Sequence, residues 1–341
     1  MTNKFYEQIK EYIKYNLSFI IFLSVLIIGF SIDTNYVVYK SGGSINITER
    51  INKANDIDNK KGSFNMAYVG MLNGRLPFYL MGKIIPSWEV APKENVTLGK
   101  NETLSDALKR DSLFFKESIS SAKYVAYQKS GVEFSVKNKN HYIIYVDEKS
   151  TADIKIGSKI ISYDDNEYEY IEELKAYIQT KEVGDKLEIK YKEKDKIKTA
   201  SAKVYEEDET KLVGLAAISI YDIESEYEVI VDSKSSESGP SGGLILSLAI
   251  YEALTGEDLT KGNTVVGTGT IDINGKVEEI GGVEFKLSGA VKKNADLFIV
   301  PKENLEEALK FAKEKKYDIL IKGVSTFDEA LLVLRSLGEK K

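Results

Sequence analysis

An apolar run without a single charge extends from Tyr15 to Ile32 (YNLSFIIFLSVLIIGFSI), between Lys14 and Asp33. As a helix it reaches about 27 Å, near the minimum for a bilayer core. It has no polar face to mark it as a helix of a soluble core. Tyr12 and Tyr15 flank one end and Tyr36 and Tyr39 the other, as interfacial aromatic belts do. Lys4, Lys10 and Lys14 precede the run, and Lys40 alone carries positive charge in the next 15 residues. That bias predicts an N-terminal stub, 1–14, on the cytoplasmic side, a single span over 15–32, and later domains outside the cell. The run is long for a cleaved signal peptide and no small-residue cleavage site follows it, so the anchor is expected to stay attached.

Residues 33–57 are polar, with Gly42 and Gly43, and read as a linker. From Gly62 the pattern becomes strand-like, in SFNMAYVGM and again in RLPFYLMGKII. Residues 104–128 place Leu104, Leu108, Leu113, Phe114, Ile119 and Ala122 at steps of three and four, which predicts a helix. The alternation Val132, Phe134, Val136 then predicts a half-buried strand, and YIIYVD and IGSKIISYDD two more. Residues 169–181 put Ile171, Leu174 and Ile178 on one helical face, before the strands KLEIKYK and KTASAKVY. A compact α+β module over 131–205 is the expectation. Beyond 206, strands and helices alternate to the last helix, where Thr326 and Glu329 form a capping box. That order predicts an α/β layer domain over 206–341.

Composition narrows the chemistry. The chain has 341 residues, 43% hydrophobic and 29% charged, with a formal net charge of −6. Those values fit a multidomain globular protein and disfavour a nucleic-acid partner held by bulk positive charge. There is no cysteine and one histidine, His141. Thiol nucleophiles, thiolate zinc sites and multi-histidine metal sites are therefore excluded, and neither metal nor cofactor is expected. A Ser–His hydrolase would have to use His141, which sits in KNKNHYIIY and reads as a surface residue.

An oxygen nucleophile remains, and Ser241 is the most conspicuous candidate. Gly239, Pro240, Gly242 and Gly243 bracket it at the entry to an apolar helix (SSESGPSGGLILSLAIYEAL). Backbone N–H groups at such a start can receive an oxyanion. The plainer alternative is a serine that merely caps the helix. For a base, Lys286 stands out after IGGVEF, because Gly289 and Ala290, three and four residues on, would let its stem lie against packed chain. An ordinary lysine titrates near 10.4 and must fall to about 7–8 to act as a base. The plainer alternative there is an exposed helix lysine.

GPSGG, GTGTID, GKVEEIGGVEFK and ADLFIVPKEN, in that order, resemble the proteolytic domain of the Lon family. The resemblance implies a Ser–Lys dyad on a ribosomal protein S5-like α/β fold. By motif, Ser241 is the nucleophile and Lys286, 45 residues on, the general base; Thr268 is a supporting residue that positions the lysine. Gly239, Pro240 and Gly242 supply the backbone around the oxyanion. Gly242 departs from the family's usual alanine, a small change expected to be harmless. The phosphate-loop pattern G-x-x-x-x-G-K-[ST] is absent: Gly269 to Val277 has five residues between its glycines and Val277 in the hydroxyl position.

VDEKSTADIKIGSKIISYDD resembles a bacterial PDZ domain, with Ser150-Thr151-Ala152 and Gly157-Ser158 at its marker positions. That implies peptide capture beside the helix 169–181. Together the segments resemble the Lon-like, PDZ-containing membrane proteases of bacteria. Residues 58–130, with Phe115–Ser118 on a helix, are then the N-terminal part of the proteolytic domain, and the PDZ domain is an insertion in it. The implied function is ATP-independent, membrane-anchored endoproteolysis of unfolded or membrane-exposed proteins, in a homo-oligomer that forms a hexameric ring. The rival is a catalytically silent or latent PDZ scaffold on the same fold.

Overall fold

The computed structural model describes residues 2–52, 62–99 and 101–340. The last part of the expected linker, 53–57, and the start of the following segment, 58–61, lie outside the described residues. The chain divides into two compact units, Met1–Ser41 with Val69–Val96, and Gly42–Tyr68 with Thr97–Lys341. The strands Asp33–Asn46 and Ser63–Arg75 each run through both.

In the first unit the apolar run is not one helix. Helices Thr2–Tyr15 and Leu17–Ser31 meet at Asn16, and Phe5–Tyr15 bends by 72° against Leu17–Ser31. Among the described residues no single helix is long and apolar enough to cross a membrane, although the bent pair passes by length and composition. The 18-residue span is thus cut to a 15-residue helix, of which no residue is buried. The polar break is at Asn16, whose side-chain amide donates to the Tyr12 carbonyl at 2.9 Å, a bond the apolar count could not register.

The expected linker begins instead as a strand. Tyr36–Lys40 pairs antiparallel with Trp88–Pro92, and Val37 and Val38 are fully buried. Adjacent β-branched and aromatic residues fit a pleated surface, a local signal outweighed in the reading by the polar residues around it. RLPFYLMGKII is likewise mainly the helix Leu76–Ile84, with Pro77 in its first turn, where a missing N–H costs nothing.

The second unit is built on parallel strands in the order Leu320–Val324, Leu297–Pro301, Thr264–Gly267, Ser63–Arg75. Their side chains alternate between two cores. Val265, Leu297 and Ile299 face one with helices Leu104–Ser130, Gly243–Thr255 and Phe327–Arg335. Val266, Phe298 and Val300 face the other with helices Val283–Lys292 and Leu305–Lys315. Period-two alternation, with a different helix layer on each face, makes this an α/β sandwich. Ile47, Ile51, Phe64 and Met66 lie in the same core as the C-terminal helices.

The α+β module is a five-stranded antiparallel sheet, in the order Leu215–Glu224, Ser135–Val146, Lys159–Tyr163, Lys186–Glu193, Lys196–Lys203. Helix Ile171–Gln179 closes its separate core through Leu174 and Ile178. The module does not stop at 205. Strand Leu215–Glu224, expected to open the next domain, pairs along its length with Ser135–Val146. Its apolar run is equally compatible with either sheet, and only the partner decides. His141 is 7% exposed, not at the surface; one ring nitrogen lies 3.0 Å from the Ser219 hydroxyl and the other 3.1 Å from the Tyr168 carbonyl.

Candidate active site

The turn that carries Ser241 is tied down on every side. Arg50 pairs with Glu237, the Glu237 carboxylate accepts from the Lys234 N–H at 3.1 Å, and the Asp232 N–H donates to the Arg50 carbonyl at 2.8 Å. At Gly239, φ is +86° and the N–H donates to the Asp111 carbonyl at 2.8 Å. The Pro240 carbonyl accepts the Ser118 hydroxyl at 3.0 Å. The Ser241 carbonyl accepts both the Gly269 N–H at 2.8 Å and the Thr268 hydroxyl at 3.1 Å. Thr268 is itself fully buried, and its N–H donates to the Ile299 carbonyl at 3.0 Å. Two long-range elements, helix Leu104–Ser130 and the exit of strand Thr264–Gly267, thus fix consecutive carbonyls of the turn.

These bonds leave specific groups free. Gly239 has given its N–H to Asp111, and Pro240 has none to give. Among the described residues the N–H groups of Ser241 and Gly242 have no acceptor. They point from the start of a helix whose residues Gly243 to Glu252 are all buried, where the helix dipole favours negative charge. The N-cap is Gly242, without a side-chain cap. Ser241 is therefore not a capping serine; it is half-buried, and its hydroxyl has no hydrogen-bond partner among the described residues.

Lys286 is not an exposed helix lysine. It is 4% exposed on helix Val283–Lys292, whose Val283, Leu287 and Ala290 lie in the second core. Gly289 allows the close approach: a Cβ there would stand 2.7 Å from the Gly43 carbonyl oxygen. The Lys286 amine has no hydrogen-bond partner among the described residues. Burial alone pushes it down to about 8, because desolvation disfavours the charged form. The chain entering this helix is clamped by buried Asn304, which accepts from the Ile280 N–H at 2.9 Å and donates to the Ile280 carbonyl at 3.0 Å.

Hydrogen bonds therefore join Ser241, Thr268, Pro240 and Gly239 to their supports, while Lys286 stands outside that network. Thr268 bonds the serine's carbonyl and not the lysine. Residues 227–335 match the model of the Lon protease (S16) C-terminal proteolytic domain. The match starts just after strand Leu215–Glu224. The Lon protease of Haemophilus influenzae is 32% identical over 102 residues, 30% of this chain and 12% of that protein. Lon protease 2 of Bacillus subtilis is 38% identical over 94 residues, 27% of this chain and 16% of that protein. The chain thus spans a small part of the Lon relatives' length. The PDZ domain of the SdrC-like protein of Listeria monocytogenes shares 27% identity, covering 25% of this chain and 93% of that one, with a TM-score of 0.23.

Asp111, Ser118, Arg50, Glu237 and Asn304 were not candidates from sequence. Ser118 and Asn304 do fall inside stretches the Lon resemblance already singled out, FKES and ADLFIVPKEN. Arg50, Asp111 and Glu237 were missed because the contacts that tie them to the turn, Arg50 to Glu237 and Asp111 to Gly239, join residues distant in sequence.

Proposed function

We propose that the chain is a Lon-type serine endopeptidase that works by a Ser241–Lys286 dyad. The observation that carries this reading is the pair of unpartnered reactive groups: a serine hydroxyl beside free helix-start N–H groups, and a buried amine held near neutrality. Neutral Lys286 takes the Ser241 proton as the oxygen attacks the peptide carbonyl. The N–H groups of Ser241 and Gly242 receive the oxyanion. The ammonium then gives its proton to the leaving amine, and water, activated by the same lysine, releases the acyl group. Thr268 holds the serine's main chain, and Gly239 and Pro240 shape the turn.

The wider reading follows. Sheet and helix of residues 135–224 act as a PDZ-like module inserted between the two parts of the proteolytic domain, and capture or gate extended peptides. The N-terminal helices anchor the protein in the cell membrane, with the catalytic part outside, and the enzyme works without ATP, as a ring-forming oligomer, on unfolded or membrane-exposed proteins. The test is the full-length protein in detergent with a quenched unfolded protein and no nucleotide. Wild type is expected to cleave, and Ser241→Ala and Lys286→Ala to lose the activity. Equal cleavage by the variants would refute the dyad; no cleavage by wild type, with or without ATP, would favour the scaffold.

A further inference from the structure

Gly242 is surrounded by groups the reading above uses, yet its own backbone does not ask for glycine. Its φ of −93° and ψ of −9° are open to other residues. Space asks for it. A Cβ at 242 would lie 2.2 Å from Met66 Sδ, 3.4 Å from Met66 Cγ and 3.5 Å from Leu246 Cδ1. The neighbouring Gly243 differs, because a Cβ there would meet main chain at the Ile271 nitrogen, 3.0 Å away. At 243 a side chain would press on Ile271 Cγ2 at 2.8 Å as well as on that nitrogen; at 242 one thioether stands in the way.

Met66 reaches that place from strand Ser63–Arg75. It stands opposite Gly267 in the parallel ladder, next to Thr268, and is 6% exposed. The turn is thus held by hydrogen bonds to its carbonyls and packed by the Met66 sulfur where a Gly242 side chain would stand. We infer that Met66 is a positioning residue for the proposed oxyanion donors: it fills the volume beneath Gly242 and sets the height of the Ser241 and Gly242 N–H groups. Methionine is adaptable enough to fill such an irregular gap, so residues 66 and 242 form a size-complementary pair. This inference rests on the dyad reading, which assigns those N–H groups their task.

The experiment is a double-variant cycle on the full-length protein with Gly242→Ala, Met66→Val and the pair. Three readouts are taken: the thermal transition, the rate at which an activated peptide ester acylates Ser241, and kcat and KM on a peptide. Complete loss of an oxyanion donor costs about 10²–10³ in rate. A displaced one in Gly242→Ala is expected to lose about tenfold in acylation and kcat, with KM little changed, and to melt earlier. Adding Met66→Val makes room for the new methyl, and the double variant is expected to recover most of both losses. Gly242→Ala at wild-type rate, or losses that simply add in the double variant, would overturn the inference. Wild type that is never acylated would overturn the dyad reading and the positioning role with it. The melting cycle still reports separately whether the two residues touch.

Discussion

A buried lysine is a destabilising element whose size the structure allows one to work out. Lys286 falls from 10.5 to about 8 through desolvation. Each unit is worth about 1.4 kcal/mol, so keeping the charged form buried costs on the order of 3 kcal/mol. The sign follows from proton counting. Between about pH 8 and 10.5 the unfolded chain holds the lysine proton and the folded chain does not. Stability therefore rises with pH across that window, and the full cost is present below it. Lys286→Met keeps the stem and removes the amine. It is expected to be more stable than wild type by up to about 3 kcal/mol at pH 7, with the gain shrinking above pH 8 and nearly gone by pH 10.5. Chemical unfolding of both proteins from pH 6 to 10 measures this, and the difference between them cancels the tyrosines and surface lysines that titrate in the same range. A constant difference, or a gain smaller at pH 7 than at pH 10, would refute the buried-base argument. In the same window, kcat/KM of wild type is expected to rise with pH along a limb near 8, as the base becomes neutral.

Three further outcomes follow from single contacts. Asn304→Ala removes both bonds to Ile280 and leaves part-buried main-chain groups unpaired, costing about 1–3 kcal/mol by chemical unfolding. Ser118→Ala withdraws the hydroxyl from the Pro240 carbonyl; a stability loss of about 1 kcal/mol and slower acylation of Ser241 are expected, and an unchanged acylation rate would show that helix Leu104–Ser130 does not steady the turn. His141→Ala breaks one bond within the five-stranded sheet and one to the Tyr168 carbonyl, and is expected to lower the stability of that module while leaving kcat on a short peptide unchanged; lost turnover with an intact fold would revive a Ser–His mechanism.

The sequence by itself determined what is local. Residues 169–181 showed the spacing of Ile171, Leu174 and Ile178, and the helix Ile171–Gln179 buries Leu174 and Ile178. Thr326 and Glu329 marked a helix start, and the Thr326 hydroxyl does accept from the Glu329 N–H. The glycine-bracketed Ser241 and the lysine after IGG stood out because tight turns and small neighbours are written within a few residues. Tertiary structure decided everything that depends on a distant partner. Strand Leu215–Glu224 had no local mark of which sheet it joins, and Asp33–Asn46 looked like a linker until Trp88–Pro92 paired with it. Whether Lys286 is an ordinary surface charge or an amine near pH 8 depends on how deeply its helix is packed, and Gly43, more than two hundred residues away, packs against that helix at Gly289. The same holds for Gly242, whose missing side chain is explained by a sulfur from residue 66. Propensity and periodicity act over one or two turns of chain, whereas desolvation and close packing are properties of the completed core.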